Sequence, residues 1–88
     1  MANMNDIQKE RSARYGAFTE VARISQNIKN AMKDSPNWDR LEPYMKESLE
    51  MNAHKIARIL NGDIYYLDSW VDASSFLDLV VKEIRDKQ

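Results

Sequence analysis

The sequence predicts an all-α fold, a compact four-helix domain that takes in residues 1–88. Two glycines and two prolines in 88 residues are too few for the many turns of a small β protein. Over most of the chain the apolar residues recur every three or four positions, which is the spacing of one helix face. A chain of this length buries only about 60–65% of the surface that it exposes when unfolded, so a monomer would be marginally stable.

The first two helices are predicted on either side of Tyr15 and Gly16. Helix one should span about residues 5–14, with a thin apolar face that anchors it weakly. Glycine interrupts it because this residue turns the backbone at little steric cost. Helix two should end near Lys33, since the following Ser35-Pro36 disfavours helical backbone. Its apolar side consists of Phe18, Val21, Ala22, Ile24, Ile28, Ala31 and Met32.

Helix three has two candidate starts, either Asp39 as the first residue of a capping box or Pro43 as the first helical residue. Proline favours the second. We expect this helix to reach about Leu60 and to stop at Asn61-Gly62 by a glycine cap. Asn52 falls within its apolar arc, where a buried amide needs a hydrogen-bond partner. The inward side chains are predicted to be Met45, Leu49, Ala53, Ile56, Ile59 and Leu60.

Helix four should open at Asp68 or Ser69, because Ser69 and Asp72 form a Ser-x-x-Asp pattern that resembles a capping box. Its buried residues are predicted to be Trp70, Ala73, Phe76, Leu77, Val80, Val81 and Ile84. We also expect at least a homodimer. Helix one has little apolar surface and Met51 interrupts the polar side of helix three, and association would bury both.

Composition argues against several classes of function. A net charge of −1 gives no strong non-specific attraction to nucleic acid. The absence of cysteine excludes disulfides, a thiolate nucleophile and a cysteine-based zinc site. We see no apolar run of about 18 residues and no cationic leader before an apolar core, so a membrane span and a secretory signal are not expected. These features predict a cytoplasmic protein.

Potential cations line one edge of helix three. His54, Lys55 and Arg58 lie within about one turn of each other, and Arg11 and Arg14 of helix one could join them. Arginine holds phosphate with a bidentate fork and lysine adds a mobile point charge, so this pattern indicates a phosphate-binding site. The same residues also fit the solvated flank of an amphipathic helix. For the single histidine a surface role competes with that of a ligand.

Aromatic residues gather near the predicted turns, namely Trp38, Tyr65, Tyr66 and Trp70. Exposed rings at such positions can stack on a nucleotide base. The alternative is that they close the ends of a helical bundle. We take Tyr66 and Trp70 as candidate base-binding residues beside the cations of helix three.

Two acidic pairs lie on consecutive helices, Glu47-x-x-Glu50 on the third and Asp68-x-x-x-Asp72 on the fourth. Four converging carboxylates can hold Mg²⁺, which prefers oxygen ligands and keeps waters that meet a substrate's phosphates. Capping and solvation explain the same residues, because Asp68 lies where the helix dipole favours an anion. Glu47 projects away from the apolar arc and would join a site only through another subunit.

Several stretches resemble a small, largely uncharacterised domain family encoded by phages and prophages, and the likeness extends from Glu10 to Val81. That family implies no particular activity. The stretches that carry the resemblance are Arg11-x-x-Arg14-Tyr15-Gly16, Asn37-Trp38-x-x-Leu41, the run His54-Lys55-Ile56-Ala57-Arg58-Ile59-Leu60-Asn61-Gly62, and Asp68-Ser69-Trp70-x-Asp72.

The acidic pairs are also similar to those of MazG-like all-α nucleotide pyrophosphohydrolases, which oligomerise and use Mg²⁺ to split nucleoside triphosphates. This similarity implies Glu47, Glu50, Asp68 and Asp72 as metal ligands. The second pair of the MazG-like pattern is Glu-x-x-Asp. Here it is either Asp68-x-x-x-Asp72 or Ser69-x-x-Asp72, which shifts or removes one ligand.

Three functions are therefore open. The first is a phage-type protein that binds a nucleotide or another phosphorylated ligand, and so sequesters a host defence signal without turnover. The second is a Mg²⁺-dependent nucleotide pyrophosphohydrolase of the MazG-like kind. The third is a protein that inhibits a host defence or replication factor through its acidic and aromatic surface.

Overall fold

A computed structural model describes residues 3–88, which form four α-helices and one 3₁₀ turn. No strand occurs among these residues, so the all-α prediction is confirmed. The first two residues of the predicted 1–88 domain lie outside the described range. The elements are α1 (Met4–Tyr15), α2 (Phe18–Lys33), the 3₁₀ turn (Trp38–Arg40), α3 (Pro43–Asn61) and α4 (Leu67–Asp86).

The helix ends follow most of the predicted signals. Pro43 is the first residue of α3, as predicted, and Asp39 lies in the separate 3₁₀ turn. The predicted capping box of α4 is wrong. The helix begins at Leu67 with Tyr66 in the cap position, and Ser69 is buried within the first turn. The backbone N–H of Ser69 donates to the Tyr66 carbonyl oxygen at 3.2 Å.

The centre of the fold is α3, which packs against α2 on one side and against α4 on the other. The side chains buried between these helices are small: Val21, Ser25, Ser48, Asn52, Ala53, Ala57, Ile59 and Ser69. Small residues let helix backbones approach closely, and no large side chain among the described residues is fully buried. Asn52 is buried as predicted, but its Oδ1 has no hydrogen-bond partner in residues 3–88.

Several residues predicted to be inward are exposed, and the pattern shows why. The buried line of α3 runs through Ser48, Asn52 and Ala57, so it is rotated toward small residues and away from Ile56 and Leu60. Periodicity counted large apolar residues and gave too little weight to alanine and serine. The residues affected are Phe18, Ala31, Ile56, Leu60, Trp70, Leu77, Val81 and Ile84.

The helices form an elongated body. Its principal extents are 47 × 27 × 22 Å and its radius of gyration is 15.1 Å, whereas about 12 Å is usual for this chain length. Its accessible surface is 6603 Å², against about 5,400 Å² for a typical monomer of the same mass. Among the described residues, fourteen large apolar side chains are exposed.

None of the helices in the described part of the chain is long and apolar enough to cross a membrane.

Two neighbouring residues at the end of α3 test this packing. Ile59 is buried and Leu60 is 64% exposed. We expect Ile59→Ala to lower the free energy of unfolding by about 2–4 kcal/mol, because it removes buried methyl groups and leaves a cavity. Leu60→Ala, the matched control, should change it by less than about 0.5 kcal/mol. Urea denaturation at one protein concentration measures both, and equal losses would contradict the observed orientation of α3.

Candidate functional site

The site is positioned by a close crossing between the end of α1 and the end of α3. The backbone N–H of Asp63 donates to the carbonyl oxygen of Arg14 at 2.7 Å. A Cβ atom on Gly62 would collide with that same oxygen and with the Cα of Tyr15. The side-chain amide of Asn61 donates to the Tyr15 carbonyl oxygen at 3.1 Å. These contacts fix the last turn of α1 against the last turn of α3.

The glycines at this crossing have different roles. Gly16 has a φ of +79°, which favours glycine, and a Cβ there would collide with Asn61. Gly62 follows the end of α3, where the sequence predicted the stop, but its φ of −127° is not that of a left-handed glycine cap. Gly62 is needed because the backbone of Arg14 leaves no room for a side chain.

The crossing brings two arginines and two tyrosines into one cluster. The guanidinium Cζ of Arg58 lies 4.3 Å from the ring centroid of Tyr15, and that of Arg14 lies 4.7 Å from the ring centroid of Tyr66. The two rings meet edge to face, with centroids 6.0 Å apart. Stacking on aromatic faces holds both guanidinium groups in place, and the N–H edge of Arg58 stays available to donate.

Arg14 is already engaged by neighbouring groups. It pairs with Glu10 at 2.6 Å and donates to the Tyr66 hydroxyl oxygen at 2.9 Å. The Tyr66 hydroxyl in turn donates to an Asp68 carboxylate oxygen at 3.1 Å. Desolvation and this hydrogen bond raise the pKa of Tyr66, so the hydroxyl stays protonated at neutral pH. Arg14 therefore serves chiefly to hold the cluster together.

Two adjoining clefts open over this cluster, with volumes of about 320 and 340 Å³. Arg11, Tyr15 and Arg58 line both of them, and Phe18 and His54 add to the first. We call the two together the cationic cleft. Each volume lies at the lower end of the range for small-molecule sites.

The cationic cleft carries unbalanced positive charge. Neither Arg11 nor Arg58 has a carboxylate within 4.0 Å among the described residues. Partial burial lowers the pKa of His54, and the charges of Arg58, Lys29 and Lys55 lower it further. The imidazole is therefore neutral at pH 7. An anion in the cleft would relieve this repulsion and would favour the protonated imidazole.

Not every predicted ligand-binding residue lies here. Arg14, His54 and Arg58 line the cationic cleft. Tyr66 contacts Arg14 and Tyr15 but lines neither of the two clefts. The side chain of Lys55 is turned toward α4, where its Nζ lies 3.4 Å from an Asp72 carboxylate oxygen. The indole N–H of Trp70 donates to the Ile64 carbonyl oxygen at 2.8 Å, and Trp70 does not line either cleft.

The four predicted metal ligands are dispersed. Asp68 accepts a hydrogen bond from the Tyr66 hydroxyl group, and Asp72 forms an ion pair with Lys55. Glu47 lines a different cleft, between α3 and α4. Residues 3–88 contain no group of three His, Cys, Asp or Glu side chains placed to hold a metal ion. Glu50 therefore has no pair of further ligands beside it either.

Sequence reasoning missed Phe18 as a cleft residue and assigned it to the core. It is 74% exposed and lines the cleft beside Arg11 and His54. Its position in the sequence could have indicated this exposure. Phe18 is the first residue of α2 and follows the turn at Gly16, and a side chain at the end of a helix is less covered than one in its middle.

No protein-family model, curated protein or solved structure matches this chain. Fold and cleft together define a class, a small all-helical protein with an aromatic-backed cationic cleft. The phage-family and MazG-like resemblances stay predictions from the sequence.

The crossing itself can be tested at Gly62. Gly62→Ala should lower the free energy of unfolding by about 1–3 kcal/mol, because its Cβ forces α1 away from α3. Tyr65→Ala is the control, since this residue of the same loop is 86% exposed and should tolerate the change. Chemical denaturation measures both. An unaltered Gly62→Ala protein would contradict the close approach.

The lowered pKa of His54 gives a pH dependence of stability. The unfolded chain binds a proton near the ordinary value of 6.5, before the folded chain does, so the folded state loses stability as pH falls below that value. We expect His54→Gln to gain stability relative to the wild type between pH 7.5 and pH 5, with a constant difference above pH 7.5. Urea titrations across this range measure the difference. A difference that does not change with pH would be inconsistent with the lowered pKa.

Proposed function

We propose that this protein binds a nucleotide or another phosphorylated small molecule in the cationic cleft. One observation carries the proposal: Arg11 and Arg58 face the same cleft and neither is paired with a carboxylate. Arginines left unpaired beside one another repel, and a phosphate between them would convert that repulsion into charge-assisted hydrogen bonds.

Preorganisation supports a role for Arg58 in particular. Its guanidinium is stacked on Tyr15, which is itself held by the contact with Tyr66. A side chain that is already ordered loses less conformational entropy when it binds a ligand. Arg11 is exposed and free to close on the ligand from the other side.

The remaining lining suits a nucleotide. Phe18 presents an exposed ring at the rim of the first cleft, where a base or another planar group can stack. His54 lies in the same cleft and can take up a proton when the phosphate arrives. In this proposal Phe18, and not Trp70, is the residue that stacks on the base.

Binding without turnover is favoured over hydrolysis. A MazG-like mechanism needs carboxylates gathered around Mg²⁺, whereas here Asp68 and Asp72 are engaged by other groups and Glu47 lies at a different cleft. With the phage-family resemblance, the proposed role is to sequester a host signalling nucleotide in the cytoplasm of the host.

We propose that the protein is a homo-oligomer as well. Its accessible surface of 6603 Å² exceeds the usual value for its mass by about 1,200 Å². Seven exposed large apolar side chains lie on α4, where a second chain would cover them.

Arg58→Ala tests the ligand site. Isothermal titration with inorganic pyrophosphate and with ADP should show at least about tenfold weaker binding, because a charge-assisted hydrogen bond contributes about 1.5–3 kcal/mol. Arg23→Ala is the matched control, an exposed arginine of α2 paired with Glu20 outside the cleft. Lys55→Ala should also keep its affinity and lose stability instead, since its side chain is largely buried against Asp72.

Several results would contradict the proposal. One is that neither pyrophosphate nor ADP binds at millimolar concentration, and another is that Arg23→Ala weakens binding as much as Arg58→Ala does. ADP should bind where adenosine does not, because the phosphates carry the recognition. Release of pyrophosphate from nucleoside triphosphates in the presence of Mg²⁺ would favour the MazG-like alternative.

A further inference from the structure

An unpartnered stripe runs along one flank of α4. Its members are spaced alternately by three and four residues, and all of them are exposed. The adjoining side of the helix, with Ser69 buried and Phe76 half-buried, faces α3, where the Phe76 carbonyl oxygen accepts a hydrogen bond from the Ser48 hydroxyl at 2.6 Å. We call the following set the α4 stripe: Leu67, Trp70, Ser74, Leu77, Val81 and Ile84.

The spacing of the α4 stripe is that of a helix-pairing seam. Alternate steps of three and four residues keep side chains on one line, as at the a and d positions of a heptad. Single exposed apolar residues are normal on a protein surface, but a continuous stripe marks an interface. From Leu67 to Ile84 the stripe is about 26 Å long, at 1.5 Å per helical residue.

The stripe is complementary to itself when the two helices run in opposite directions. Leu67 then lies opposite the partner's Ile84, Trp70 opposite the partner's Val81, and Ser74 opposite the partner's Leu77. In this arrangement no layer contains two aromatic rings or two polar side chains. A parallel pair would instead place Trp70 against the partner's Trp70 and Ser74 against the partner's Ser74, which gives one crowded layer and one polar layer.

The helix dipoles favour the same direction. Asp72 is already paired with Lys55 of α3, and Lys87 is paired with Glu42. The remaining cations of residues 79–87, Lys82 and Arg85, are matched by Glu83 and Asp86, so side-chain charge does not set the direction. An antiparallel pair opposes the two helix dipoles, whereas a parallel pair aligns them.

The chain as a whole exposes more surface than a monomer of its mass usually does. The accessible surface of 6603 Å² exceeds the usual value by about 1,200 Å². A stable interface takes about 800 Å² from each partner. The excess over the whole chain is therefore larger than the area that one subunit gives to a single two-fold interface.

From these observations we propose that α4 pairs in antiparallel fashion with α4 of a second copy of this chain, through the α4 stripe. The assembly is a two-fold symmetric dimer, in which the same patch serves both subunits. This rests on the proposed homo-oligomeric state and adds the surface, the direction and the register.

Light scattering with a charge placed in the stripe is the first test. Leu77→Glu should raise the dissociation constant of the dimer by about 100-fold or more, because two unpaired carboxylates would be buried at the centre of the interface. Leu79→Glu is the matched control, since Leu79 is 61% exposed on the same helix but lies outside the stripe. A Leu77→Glu protein that stays oligomeric would overturn the interface and leave the oligomeric state standing.

Disulfide trapping tests the direction, and it does not depend on the behaviour of Leu77→Glu. The chain has no cysteine of its own. A mixture of the single variants Leu67→Cys and Ile84→Cys should form a cross-linked dimer on oxidation, because these positions meet across the antiparallel pair. Each variant alone should not, since its two copies lie about 26 Å apart along the pair.

Self-cross-linking of Leu67→Cys would show a parallel pair and overturn the proposal. If light scattering shows a dimer but no mixed disulfide forms, the interface does not lie at the α4 stripe and the proposal is overturned. A wild-type monomer at every concentration up to 0.5 mM would overturn both this proposal and the homo-oligomeric state.

Discussion

The close crossing of α1 and α3 is the constraint on which the candidate site depends. The N–H of Asp63 and the side-chain amide of Asn61 both donate to carbonyl oxygens at the end of α1, and Gly62 leaves the space that these contacts need. Helix α1 buries none of its own residues. Its attachment therefore relies on the hydrogen bonds that its last carbonyl oxygens accept at this crossing and on the stacking of Arg58 on Tyr15.

The small residues of the core account for the unusual surface. Alanine and serine between α2, α3 and α4 allow close helix packing, but they bury little apolar area. The large apolar side chains are displaced outward, and many of them lie along α4. The same sequence feature thus lowers the buried apolar area and raises the exposed apolar area.

Helix positions could be predicted from the sequence because their signals are local. Pro43 gave the start of α3, and Gly16 and Gly62 gave two of the breaks. Which side of each helix is buried could be predicted only in part. Val21, Ala53 and Ile59 are buried as predicted, but Leu60 is exposed, since a core built from residues such as Ala57 gives a weak pattern. The sequence singled out three of the four cluster residues, Arg14, Arg58 and Tyr66, as candidate ligand-binding residues, but not Tyr15. The direction of Lys55 and the exposure of Phe18 depend on how helices dock, which one sequence does not reveal.

The most direct test of the central claim is the NMR spectrum of the arginine side chains during a titration with inorganic pyrophosphate. The account predicts that the Nε–Hε signals of Arg58 and Arg11 shift saturably, together with the imidazole signals of His54. Those of Arg23 and Arg40, which lie outside the cleft, should stay in place. Equal shifts at all four arginines, or no shift at Arg58 at millimolar pyrophosphate, would contradict a specific anion site at this crossing.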